Sequence, residues 1–261
     1  MPRLHLFEFE DQRWFPASWR DYGTDFLQFI TERTKAFRPV LPLLEMGLMA
    51  GGSARIIDLA SGGGGGWLGL GKELAEKHPG LRIILTDAFP NLPAFRRAAD
   101  RDYIGYLETP VSAIQVPAEL AGLRTLFLSF HHFRPAVAKR ILQDALDSGN
   151  PVAIFEGQGR NLPSLLAMFF SPLTVLLVTP FIRPFRPGRI FFTYLLPIVP
   201  LFVWWDGLVS ALRTYSVSEL NSLVDRLEHK ERFIWETGTL KSGPSTITYL
   251  LGVPTPTAEG Q

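Results

Sequence analysis

Between residues 55 and 156 the chain alternates short, unbroken apolar runs with longer stretches of helical period. Arg55–Ala60, Arg82–Thr86, Thr125–Ser129 and Pro151–Phe155 read as buried strands, with a weaker one over Tyr103–Leu107. Strands that are apolar throughout, rather than on alternate positions, belong to a parallel sheet covered on both faces. The intervening segments Trp67–His78, Leu92–Arg101 and Pro135–Ser148 carry helical spacing. Upstream, Asp21–Phe37 predicts a helix that Thr24 or Asp25 can cap. A short helix is expected in the segment punctuated by Pro39, Pro42 and Gly47–Ser53. Downstream, Ser216–His229 predicts a helix with Ser216 or Ser218 as cap, and Glu231–Thr237 and Thr246–Val253 predict two closing strands. No full helix joins that pair, so it is expected to be antiparallel. The fold class read from this pattern is α/β: a three-layer sandwich, mostly parallel, with an antiparallel closing strand and a helical apolar insertion.

The insertion interrupts the alternation. Asn161–Ile182 is a run of 22 residues without a charge, and Ile190–Trp205 is one of 16. Between them, Arg183-Pro-Phe-Arg-Pro-Gly-Arg189 carries three arginines and no acid. A membrane-crossing helix needs about 20 apolar residues, so the first run is long enough and the second short. Pro163, Pro172, Pro180, Pro197 and Pro200 are expected to kink them. Three arrangements fit: buried helices walling a hydrophobic pocket, a hairpin dipping into one leaflet with its arginines on phosphates, or a span.

Composition narrows the chemistry. The 26 Lys and Arg balance 25 Asp and Glu, which gives no general pull towards nucleic acid. There is no cysteine, and so no disulfide, thiolate metal site or cysteine nucleophile. Met1–Arg13 lacks the apolar core of a secretory signal, so a cytoplasmic location is expected, and Pro254–Gln261 reads as a patternless tail.

Five glycines, Gly62–Gly66, follow the first strand and precede a helix. Glycine lets backbone approach a ligand closely, and the helix start offers free N–H groups. Gly64-Gly-Gly66-Trp-Leu-Gly69 matches the dinucleotide spacing G-x-G-x-x-G, a cheap match among so many glycines. Gly66–Lys72 fits the start of a phosphate-binding loop, but Glu73 stands where a magnesium-ligating Ser or Thr is required. More positions fit another arrangement. Asp58 sits inside the end of the first strand, and Asp87 ends the second, 29 residues on, where a carboxylate can take two ribose hydroxyls.

Asp58-Leu-Ala60-Ser-Gly62-Gly-Gly64 together with Asp87 resembles the class I S-adenosylmethionine-dependent methyltransferases, whose first motif reads acid-x-Gly-x-Gly-x-Gly. Ala60 departs from its first glycine. The resemblance covers about residues 50–160 and the closing strands, and it implies a Rossmann-like core with S-adenosyl-L-methionine as cofactor. In that scheme residues 1–261 form one methyltransferase-like domain. It comprises a helical cap (1–50), a cofactor-binding core (51–160), the apolar insertion and helix (161–230) and closing strands (231–254). The resemblance implies that Ala60, Ser61, Gly62, Gly63 and Gly64 pack on the methionine part, with Asp58 orienting their loop. Asp87 takes the ribose, and Ala88 and Phe89 flank the adenine. Ser112 and Ala113 stand where the third motif usually supplies an acid, and Ser129 closes the cofactor side.

Ser129-Phe-His-His-Phe133 follows the fourth strand, where this family places acceptor-facing residues. A histidine there can accept a proton near neutral pH, and His131 is preferred over His132. Glu156, ending the fifth strand, is a partner for it. Trp14, Phe15 and Phe133 are expected to line the acceptor pocket. No metal site is expected, because no third ligand is spaced to join the two histidines. Asp206 and Arg213 are expected to form a structural ion pair. The function these readings favour is methyl transfer to a hydrophobic small-molecule or lipid-like acceptor, with no nucleic acid and a peripheral membrane contact through 161–205. An NAD(P)-dependent oxidoreductase and a non-catalytic, membrane-associated protein that keeps the fold are the alternatives.

Overall fold

The apolar runs assemble into one sheet. The computed structural model describes residues 1–64 and 66–256; Gly65 of the glycine run and 257–261 of the tail lie outside the described residues. The strands are β1 (Arg55–Asp58), β2 (Arg82–Leu85), β3 (Ile104–Tyr106), β4 (Leu123–Phe127), β5 (Val152–Glu156), β6 (Phe233–Ser242) and β7 (Ser245–Pro254). Their spatial order is β3-β2-β1-β4-β5-β7-β6. The first five are parallel, and β7 is antiparallel to both neighbours. The chain turns back between β1 and β4, so the carboxyl ends of the two strands flank a crevice at the point where the winding reverses.

Successive residues of each strand enter opposite cores. Ile56 packs with α2 (Leu41–Ala50), α3 (Trp67–Lys77) and α4 (Leu92–Ala98), through Leu44, Trp67, Leu74 and Phe95. Ile57 packs with α5 (Pro135–Asp147) and α10 (Val217–Val224), through Ile141, Leu142 and Leu220. A third core joins the N-terminal segment and α1 (Ala17–Arg33) to the insertion, through Phe15, Phe26, Val175 and Phe202.

Helix α1 starts earlier than its expected caps. Pro16, extended with φ −59° and ψ 131°, precedes it, and Thr24 and Asp25 lie inside the helix. The insertion holds four α-helices, α6 (Leu162–Phe169), α7 (Ser171–Val178), α8 (Pro187–Ile190) and α9 (Ile198–Arg213), with a 3₁₀ turn at Thr179–Phe181 and a π-helical turn at Phe191–Leu195. Most of its prolines open helices rather than kink them. Pro163, Pro172 and Pro187 fill first-turn positions, where the missing N–H costs nothing. No helix among the described residues is long and apolar enough to cross a membrane, although α6 with α7 and α8 with α9 meet the length and composition as bent pairs.

Two of the three arginines expected to meet phosphates are engaged inside the protein. Arg189, buried, donates to Asp25 Oδ2 at 2.7 Å and to the carbonyls of Ile182 and Pro184. Arg186 reaches Asp21 and Asp25, both at 3.2 Å. Only Arg183 remains exposed without an ion pair among the described residues.

Candidate active site

The site begins at the carboxyl end of β1. Asp58 is buried and accepts a hydrogen bond from Thr125 Oγ1 at 2.7 Å, so its carboxylate faces β4. Burial pushes this carboxyl up to about 6, against the pull of its hydroxyl partners. The Asp58 carbonyl does the orienting. It accepts from Ser61 Oγ and Thr86 Oγ1, both at 2.8 Å, and Ser61 Oγ in turn accepts from the Thr86 amide.

The bend keeps a glycine-like backbone where the motif lacks its first glycine. Ala60 has φ +51° and Gly62 φ +55°. Left-handed backbone costs a non-glycine residue about 1–2 kcal/mol, so the local network must hold Ala60 there. Around Gly62 there is open space, whereas a Cβ at Gly63 would come within 2.2 Å of Thr24 Cγ2. Helix α1 therefore roofs the bend. Gly69 of the formal dinucleotide match lies inside α3, where a Cβ would meet nothing within 4 Å. The close helix packing that requires the third glycine of that fingerprint is missing here.

Asp87 turns toward the bend. Its Oδ2 accepts from the Gly62 amide at 2.9 Å and its Oδ1 from the Phe89 amide at 2.8 Å. Burial raises its pKa, and these amides oppose the rise. Each oxygen keeps capacity for a further donor. Ala88 and Phe89 are exposed, Phe89 at 83%. The segment holding Ser112 and Ala113 is brought alongside by Val111, whose amide donates to the Asp87 carbonyl at 2.8 Å. Ser112 is exposed and bridges to Gln115.

Past β4 the backbone is strained again. Leu128 has φ +50°, and the buried Ser129 Oγ has no hydrogen-bond partner. Strain and orphaned polar atoms gather at functional sites. His131 follows, buried, with Nδ1 2.9 Å from Glu156 Oε2 and its backbone amide donating to Glu156 Oε1 at 2.9 Å. An ionised carboxylate only accepts, so in the neutral ring the proton sits on Nδ1 and Nε2 keeps its lone pair. Gln158 also donates to Glu156, at 3.1 Å. The His132 ring lies 4.2 Å from that of His131, and its side chain is 29% exposed.

Residues remote in sequence complete the cluster. His132 Nδ1 lies 2.9 Å from Asp11 Oδ1 and 3.3 Å from Glu8 Oε2. Arg213, at the end of α9, reaches Asp11 at 2.6 Å and Glu8 at 3.2 Å. Asp206 accepts from the amides of Phe9 and Glu10 at 2.7 and 3.1 Å, so the expected Asp206–Arg213 pair is replaced by two separate clamps on the N-terminal segment. Arg3 ties the same segment down by donating to the carbonyls of His131 and Phe133. Burial pushes Glu8 up to about 7 and Asp206 up to about 6. At Asp11 burial is outweighed by His132 and Arg213, which hold its carboxyl below the usual range.

Other expected positions fare differently. Phe15 is buried against Phe9, Trp19 and Phe202 and is a core residue, not a pocket wall, because its ring fills the joint between the N-terminal segment and α9. Trp14 is 67% exposed. Phe133 is half-buried beside Phe130. Sequence reading passed over Glu8, Asp11 and Gln158. The visible signal was the alternation of Phe7-Glu-Phe-Glu-Asp11, which places acids among aromatics at an edge that has to be buried. Glu8 also supplies the third neighbour that the histidine pair lacked in sequence spacing.

No family model matches the chain, and no curated protein matches it in sequence. Solved structures do match in shape. The plantazolicin methyltransferase, in complex with a triazolic desmethylPZN analog and SAH, aligns at TM-score 0.54 and 11% identity over 95% of this chain and 97% of its own. Magnesium protoporphyrin IX methyltransferase from Synechocystis PCC 6803, with bound SAH, aligns at 0.50 and 12% over 93% and 97%. Human N-acetylserotonin methyltransferase, in complex with SAM, aligns at 0.50 and 15% over 94% of this chain; the chain spans only 60% of that enzyme's length. The three-layer sheet with its reversed seventh strand is thus a Rossmann-like α/β fold. Within that class it is the fold of the class I S-adenosylmethionine-dependent methyltransferases.

Proposed function

We propose that the protein is an S-adenosylmethionine-dependent methyltransferase acting on a small molecule whose reacting hydroxyl faces the histidine cluster. One observation carries this reading. The Asp87 carboxylate is pinned by the Gly62 and Phe89 amides at the winding reversal, while the strand ends of β4 and β5 bring His131 to Glu156 at the same edge of the sheet.

The residues present fit the cofactor. Asp87 has lone pairs left for two ribose hydroxyls, Gly62 leaves open space where a side chain would stand, and Ser129 Oγ is a buried hydroxyl lacking a partner. Gly62–Gly64 with Ala60 and Ser61 would hold the methionine part, Ala88, Phe89, Ser112 and Ala113 the adenine side, and Asp58 the loop itself. When bound, the cofactor supplies a methyl group activated by sulfonium charge. The chain's own task is to align the acceptor, exclude water and take up its proton. His132 is the histidine open to an acceptor; His131, oriented by Glu156, stands behind it. The N-terminal segment clamped by Asp206, Arg213 and Arg3 covers the cluster from solvent.

Calorimetric titration with S-adenosylhomocysteine tests the reading. Wild type is expected to bind in the micromolar range and Asp87→Ala at least about tenfold more weakly, the loss of one charge-assisted pair of contacts. Absence of binding to a folded wild type overturns it.

A lipid-like acceptor is the finer reading, and the insertion supports it. Leu162, Leu173, Leu177, Phe181, Phe185 and Leu195 are all exposed on α6–α8 and their links, and residues 161–205 contain no acid. Large apolar side chains exposed in this number along one insertion point to a contact surface. The protein then works in the cytoplasm against a membrane face, drawing its acceptor from it. Wild type is expected to float with anionic vesicles and a Leu177→Glu/Phe181→Glu variant to stay in the soluble fraction. Equal partitioning of the two contradicts the membrane contact.

A further inference from the structure

The geometry points to a divalent metal site formed by Glu8, His131 and His132. One ligand atom of each lies within 4.8 Å of the others, although Glu8 is separated from the histidines by more than half of the sheet's sequence. His131 Nε2 stands 3.8 Å from Glu8 Oε1, and His132 Nδ1, which an ion would have to take from its contact with Asp11 Oδ1 at 2.9 Å, stands 3.3 Å from Glu8 Oε2. Two bonds of about 2.0–2.1 Å meeting at a tetrahedral ion place their donor atoms about 3.3 Å apart. The observed separations suit an ion between the donors better than a hydrogen bond, which 3.8 Å excludes.

A second observation is independent of the spacing. His131 Nε2 is buried without a hydrogen-bond partner, on a side chain only 3% exposed. With Glu156 on Nδ1, the neutral ring presents an Nε2 lone pair to the carboxyl of Glu8. Two acceptors facing each other in a dry site are unfavourable unless a proton or a metal cation lies between them. A carboxylate on the far nitrogen is also the usual outer support of a metal-binding histidine, since it fixes the tautomer and raises ligand basicity.

Charge agrees. Glu8, Asp11, Glu156 and Asp206 converge on this region, and Arg213, paired to both Glu8 and Asp11, is the cation that answers them within the cluster. With all four ionised, their charge exceeds that of Arg213, and a divalent ion relieves the excess. Two imidazoles with one carboxylate suit a first-row transition metal such as zinc, cobalt or manganese better than magnesium, which prefers oxygen. Three protein ligands leave a fourth position for water or an acceptor oxygen. The catalytic use of the ion rests on the methyltransferase reading above; the site itself rests on these side chains alone.

The test titrates chelator-treated protein, with no cofactor present, with ZnCl₂ by calorimetry and with CoCl₂ by visible absorption. Wild type is expected to take one equivalent of zinc at micromolar affinity or tighter, and cobalt is expected to give the visible bands of a tetrahedral N/O site. His132→Gln, on the least buried ligand, and Glu8→Gln are each expected to weaken binding at least about 100-fold while circular dichroism shows the fold retained. Absence of stoichiometric binding by wild type overturns the inference. So does binding that survives both substitutions, which would locate the ion on a surface histidine such as His78. S-adenosylhomocysteine binding by the same preparation separates the two readings: cofactor binding without metal removes only this inference, and metal without cofactor binding removes only the enzyme assignment.

Discussion

At the scale of single residues, the site depends on carboxylates held in unequal surroundings. Asp58 is buried, whereas Asp87 is half-buried at the crevice. Burial lifts Asp58 to about 6, above its value in the unfolded chain near 3.8. A raised carboxyl stabilises the fold while protonated; that contribution is complete below the unfolded pKa and is lost as pH rises through the folded one. Relative to Asp58→Asn, wild type is therefore expected to lose stability between about pH 4 and 6, by up to about 3 kcal/mol, and to change little above that. Urea denaturation of both proteins from pH 4 to 7.5 measures the difference, and a difference independent of pH contradicts it. Ala60 shows what residue type alone conceals. It departs from the motif in identity yet keeps a backbone angle of +51°, as a glycine there would. The glycine bend and Asp87 were legible because their spacing is local to one strand-turn-strand unit. Glu8 and Asp11 were not, because only the third core, which docks the N-terminal segment on α9, carries them to the histidines.

At the scale of elements, the strands were the most readable part. Each parallel strand expected from an apolar run is present, within one or two residues at its ends. Strand β6 runs on to Ser242, beyond the expected Thr237, because the hairpin to β7 pairs through to Ser242 and Ser245 about Gly243. The helices of the insertion were less readable. An uncharged run carries no period, so its breaks follow prolines that start helices, and its placement follows buried ion pairs. Asp25, inside α1, is the hub of these: Arg97, Arg186 and Arg189 all reach it. Removing one partner of a buried pair leaves its guanidinium uncompensated, a loss of about 3–5 kcal/mol. Asp25→Ala is expected to unfold at correspondingly lower urea concentration, and because α1 roofs the bend through Thr24, to bind S-adenosylhomocysteine more weakly as well. Unchanged stability would show that the insertion is held by its apolar contacts alone.

At the scale of the whole molecule, a parallel sheet brings the carboxyl ends of β1, β2, β4 and β5 to one edge, and the N-terminal segment, packed on the insertion, reaches the histidines that follow β4. In the proposed reading the cofactor side is built from the core, and the acceptor side from chain that reaches it only through tertiary packing. Shape similarity to methyltransferases at 11–15% identity identifies the fold; the assignment of chemistry rests on the arrangement of Asp87, the glycine bend and the His131–Glu156 pair. A crystal structure with S-adenosylhomocysteine bound tests that arrangement most directly. The account predicts both ribose hydroxyls on the Asp87 carboxylate, the amino-acid tail along Gly62–Gly64, and the sulfur facing His132. Adenosine bound away from Asp87, or a sulfur pointing away from the histidines, would contradict it.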